Sequence, residues 1–112
     1  MTSKNHTPRV PPTITYVVNN DTDEVVQGGG QITQATSIRF AGNAMARDRL
    51  HMYNHGQRLG DFEIFVPDLG LWEFIPPRFD KGDYSITVKS IESGEMSALP
   101  WRFVVARPHP HP

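Results

Sequence analysis

The chain has 112 residues, no cysteine, and eleven Lys and Arg against twelve Asp and Glu, for a formal net charge of −1. That length suits one domain around one hydrophobic core. The absence of cysteine excludes a disulfide framework and a thiolate zinc site, and the near-balanced charge provides no overall field toward nucleic acid or an anionic membrane.

Residues 1–11 are polar and proline-bearing and are expected to form a disordered N-terminal tail. They contain no apolar h-region, so no signal peptide is read in this chain. No stretch approaches the roughly 20 apolar residues of a membrane-spanning helix. Helical spacing of apolar residues is absent too, and ten prolines and nine glycines break the chain. Period-two alternation takes its place, the pattern of half-buried strands.

The first such run is Thr13-Ile14-Thr15-Tyr16-Val17. After it comes the main acidic cluster, Asn19-Asn20-Asp21-Thr22-Asp23-Glu24, whose oxygens suit a hard cation. Asp21, Asp23 and Glu24 are therefore candidate calcium ligands, although Asn and Asp are equally the residues of an ordinary turn. Gly28-Gly29-Gly30 lacks the Lys-Ser/Thr and following helix of a phosphate loop, so it reads as a turn between sheets.

Ser37–Ala41 places Ile38 and Phe40 on one face, and Arg49–Tyr53 opposes Leu50 and Met52 to Arg49, His51 and Tyr53. Asn54-His55-Gly56 is a turn with glycine available for a positive φ. Asp61–Val66 aligns Phe62, Ile64 and Val66, and Leu71–Phe74 pairs Trp72 with Phe74. Asp68-Leu69-Gly70 and Asp80-Lys81-Gly82 punctuate these runs, and Pro76-Pro77 ends the Trp72 strand. Tyr84–Val88 and Trp101–Val105 complete seven runs, with Ser93-Gly94 turning between them. The expected inward set is Ile14, Tyr16, Ile38, Phe40, Leu50, Met52, Phe62, Ile64, Trp72, Phe74, Tyr84, Ile86, Val88, Phe103 and Val105. Residues 107–112, Pro- and His-rich, read as an extended tail.

Several segments together resemble the immunoglobulin-like repeats of bacterial surface proteins and adhesins. They are Gly28–Thr33, Ser37–Ala44, Asn54–Gly60, Gly70–Phe74, Gly82–Val88 and Gly94–Ser97. The resemblance implies an immunoglobulin-like, Greek-key antiparallel β-sandwich of about seven strands over residues 12–106. It also implies an adhesive, spacer or interaction role, a cell-surface or extracellular setting, and neighbouring domains in a longer chain. Tyr84, just beyond a turn, stands where a tyrosine corner would tie strand to loop. The stretch between Gly60 and Gly70 is longer and more apolar than the usual repeat, which marks the loop from Phe65 to Leu69 as a place for an unusual site.

The candidate ligand surface is Arg47, Arg49, His51, Tyr53 and Arg58, a basic and aromatic stripe suited to carboxylates through bidentate guanidinium contacts. The competing reading is a solvated sheet face whose charges discourage edge pairing. His51 and His55 lie four apart on a strand and its turn, which does not align them as ligands. The serines lack a Gly-x-Ser-x-Gly elbow, so catalysis is not expected. The expectation is a non-catalytic module of a bacterial surface or secreted protein that engages a protein or glycan. The alternative is a small carbohydrate-binding domain using the stripe. No nucleic acid, membrane insertion or cofactor is expected beyond the calcium reading.

Overall fold

The computed structural model describes residues 10–29 and 31–106. The expected tails lie outside them, apart from Val10 and Pro11. Nine strands and no helix are present among the described residues: β1 (Tyr16–Asn19), β2 (Gln31–Thr33), β3 (Ile38–Asn43), β4 (Arg49–Asn54), β5 (Gln57–Arg58), β6 (Ile64–Phe65), β7 (Leu71–Phe74), β8 (Gly82–Ser90) and β9 (Trp101–Val105). All seven runs contribute a strand. The two additions, β2 and β5, span three and two residues, too short for alternation to mark.

The strands form two sheets, one in the order β1-β3-β7 and the other in the order β2-β9-β8-β4-β5, with β6 also on β4. Every pairing is antiparallel except β2 with β9, which is parallel. The core lies between the sheets. Val17, Ile38, Phe40 and Trp72 from the small sheet meet Leu50, Met52, Ile86, Val88, Phe103 and Val105 from the large one, all buried. The rings of Phe40 and Phe103 approach to 6.2 Å between centroids across this layer. Each such side chain contributes about 1.5–3 kcal/mol when fully withdrawn from water.

One expected core residue is on the wrong side. Tyr16 is exposed and Val17 fully buried. Thr13 donates its N–H to Asn43 and Tyr16 lies opposite Ala41, so three steps on one strand match two on the other. This extra residue is a bulge, and a bulge reverses which side chains face inward. Ile14 still packs against the core before the reversal, and Val17 does so after it.

The segment from Gln57 to Val66 follows the full edge of β4, but as two short ladders rather than one strand. Tyr53 and Asn54 pair with Arg58 and Gln57, Leu59 donates to Met52, and then Leu50 and Arg49 pair with Ile64 and Phe65. The residues between step outward at Gly60, whose φ of 67° favours glycine. That excursion stacks Phe62 on Phe74 with centroids 4.7 Å apart. The hairpin joining β4 to β5 turns through His55 and Gly56, both at positive φ, as a two-residue turn of matching twist requires.

Two ties anchor loops to this frame. Tyr84 donates its hydroxyl to the Asp80 carbonyl at 2.8 Å, making the expected corner. Phe79, just before it, is buried against Phe40, Tyr84 and Phe103. At the opposite end the buried Ser90 hydroxyl donates to Asp48 at 2.6 Å, joining β8 to the loop before β4.

Candidate functional site

The alternation of β4 turns Leu50 and Met52 into the core and Arg49, His51 and Tyr53 out onto the large sheet. Directly opposed residues of an antiparallel pair share a face, so the register assembles the rest. Arg58 lies opposite Tyr53, and Phe65 opposite Arg49. On the other flank Thr87 faces Tyr53, Lys89 faces His51, and Arg102 of β9 faces Ser85. The result is a flat surface over four adjacent strands with Tyr53 near its middle.

The electrostatics of this face are uneven. Arg49 binds Glu63 at 3.2 Å, and His51 Nε2 lies 3.8 Å from the other oxygen of the same carboxylate. That end is therefore largely neutralised. Lys89 places its ammonium 5.9 Å from the centroid of the Tyr53 ring. Arg58 donates to the Phe62 carbonyl at 3.4 Å, which leaves its charge uncompensated. Among the described residues none of Arg58, Lys89 and Arg102 has a carboxylate partner. Adjacent strands are spaced about 4.8 Å apart, so these three cations surround Tyr53 and Thr87 within roughly 15 Å.

The sequence stripe is thus assembled with one exception. Arg49, His51, Tyr53 and Arg58 share the face, but Arg47 does not belong to it. Arg47 precedes β4 in the left-handed region (φ 65°), which breaks the alternation, and its guanidinium binds Asp68 at 2.9 Å. Lys89 and Arg102 were missed, because the pairings that bring them beside Tyr53 join residues far apart in sequence. The alternation Ser85-Thr87-Lys89 within the Tyr84 run was the available signal.

The acidic segment forms a tight turn at the end of β1. Asp23 adopts a φ of 63°, and its carboxylate binds Arg39 at 2.9 Å. Arg39 also bonds the Asn20 side chain and lies 3.4 Å from Glu73. The Asp23 hydrogen bond raises the Arg39 pKa above its ordinary value; desolvation, next in size, opposes it, and the charges of Asp23 and Glu73 add to the rise. The Asn19 side chain caps the N–H of Asp21, and the Thr22 hydroxyl bonds Glu24. No group of three or more His, Cys, Asp or Glu converges to hold a metal ion among the described residues.

Of the surface clefts away from the large-sheet face, two border charged loops. One, about 320 Å³, is lined by Arg47, Asp48, Ser90 and Glu92, but both Asp48 oxygens are already engaged, by the Arg49 N–H and the Ser90 hydroxyl. The other, about 600 Å³ and mainly polar, runs beside Asp21 and Glu24 toward Thr33. Neither gathers a nucleophile and a base. The loop singled out between Gly60 and Gly70 exposes Phe65 on the sheet face and Leu69 away from its ladder.

No protein-family model matches the chain, and no curated protein matches it.

Proposed function

We propose that the chain is a non-catalytic, immunoglobulin-like interaction module that binds its partner through the outward face of the large sheet. The strand orders β1-β3-β7 and β2-β9-β8-β4-β5 and the Tyr84–Asp80 corner support the immunoglobulin-like reading. The resemblance to surface-protein repeats supports a place in a bacterial surface or secreted protein, with spacing of neighbouring domains as its simplest duty. One observation carries the binding role: three cations without a carboxylate partner among the described residues surround a tyrosine on mutually paired strands. Solvated sheet faces ordinarily disperse or pair their charges, as Arg39 does on the small sheet and Arg49 at the neutralised end of this face.

The test is an array of glycans and extracellular proteins probed with wild type and with Tyr53→Ala plus Arg58→Ala. Probes bound by wild type and lost in the double variant, measured at a temperature where both proteins are folded, support the role. Equal binding by both proteins, or binding to no probe, refutes it and leaves the spacer.

A further inference from the structure

Resting on that reading, we infer that the partner of the large sheet face is an acidic polysaccharide, laid obliquely across β4 and β8 and held by Tyr53, Arg58, Lys89 and Arg102. Three observations select this class of ligand. Firstly, Arg58, Lys89 and Arg102 lack a carboxylate partner among the described residues and outnumber the one exposed carboxylate beside them, Asp83 near the start of β8, so charge complementarity calls for a polyanion. Guanidinium groups suit carboxylates especially, through paired parallel hydrogen bonds.

Secondly, the surface carries two aromatic rings in line with a strand. Phe65 sits opposite Arg49 and is 61% exposed, and Tyr53 lies four residues further along β4. At a rise of about 3.3 Å per residue the two are separated by roughly 13 Å, the scale of an extended oligomer rather than one small molecule. The exposed Phe65 ring offers an apolar platform for the C–H face of a sugar, the Tyr53 ring carries Lys89 over one face, and Thr87 and Ser85 supply hydroxyls between the cations.

Thirdly, the backbone is closed to a peptide. β4 is flanked by β8 on one side and by β5 and β6 on the other, and β8 by β4 and β9. A peptide that binds by adding a strand needs a free edge, and the centre of this face presents none, so an acidic peptide loses that source of affinity here. What remains is recognition by side chains alone, across a flat surface.

The experiment measures binding of the whole chain to polygalacturonate, to neutral dextran and to poly-L-glutamate at low ionic strength. The expected result is binding to polygalacturonate and to neither of the others at comparable concentration. Tyr53→Ala and Lys89→Ala are each expected to weaken it about tenfold, the effect of losing one favourable contact. Both positions are half-buried on central strands, so each variant is expected to melt somewhat below wild type, and binding is measured where all the proteins are folded. Equal affinity for poly-L-glutamate would overturn the sugar assignment in favour of acidic protein. Binding to dextran that depends on Tyr53 would overturn the acidic assignment. Absence of polygalacturonate binding would overturn the inference altogether, and array probes still captured through Tyr53 and Arg58 would show the interaction role surviving it.

Discussion

The hydroxyl of Tyr84, at the start of β8, donates to the carbonyl of Asp80 four residues earlier, at 2.8 Å. This bond holds the loop after β7 against the strand it feeds, and it stands beside the ring cluster of Phe79 and Phe103. Tyr84→Phe keeps the ring and loses the bond, so a loss of about 1 kcal/mol is expected in denaturant unfolding.

The same residue predicts an alkaline effect. Burial, first, and the charge of Asp80, second, raise the phenol above its ordinary 10.0, with the backbone hydrogen bond opposing them. The folded chain therefore holds this proton more tightly than the unfolded chain does. The corresponding stability is fully present below pH 10.0 and is lost as pH rises through the folded-state pKa. Stability of wild type should fall more steeply than that of Tyr84→Phe as pH rises from 10.0 through the folded-state pKa; parallel pH dependence there would contradict this.

Gly42→Ala is expected to be among the most damaging single changes. A Cβ there would overlap the carbonyl oxygen of Thr13 and press the Trp72 ring. That carbonyl also accepts the Trp72 indole N–H at 3.2 Å, so relieving the overlap breaks a second contact. Overpacking of this kind costs about 1–3 kcal/mol, and the lost bond adds to it. A melting temperature equal to wild type would show that the first strand can move aside freely.

Ser90→Ala removes the donor from a buried carboxylate that binds across 42 residues of chain. Hydrogen bonds to charged groups contribute about 1.5–3 kcal/mol, and chemical denaturation should register that loss. Arg47→Ala provides the contrast. Its ion pair with Asp68 has both side chains about three-quarters exposed, and such pairs contribute at most about 1 kcal/mol. Arg47→Ala should leave both stability and array binding nearly unchanged.

Legibility in the sequence followed locality. The runs through Ile38 and Phe40 and through Leu50 and Met52 alternate without interruption, and their side chains lie where alternation places them. Tyr16 failed because a bulge is invisible to a pattern that assumes every residue advances the strand by one step. Val26 and Phe79 are buried from irregular segments, where no period exists to mark them. The parallel β2–β9 pairing joins segments about 70 residues apart, and local sequence carries no register for it. The same limit shaped the candidate site. Arg49, His51 and Tyr53 were readable from one strand, whereas Lys89 and Arg102 needed the order of the sheet.

Salt dependence separates the two kinds of cation on this face. Binding held by the exposed Arg58 and Arg102 and the half-buried Lys89 should weaken steeply as ionic strength rises through about 0.15 M, where the screening length is about 8 Å. A Lys89→Ala variant should show a shallower dependence, read by repeating the titration at several salt concentrations.

The account stands or falls on where a ligand touches the molecule. Amide resonances of the isotopically labelled chain, followed while the strongest array binder is titrated in, report this residue by residue. Shifts centred on Tyr53, Arg58, Thr87, Lys89 and Arg102 are predicted, with β1, β3 and β7 undisturbed. Shifts confined to the small sheet or to the Asp21–Glu24 turn would contradict the central claim.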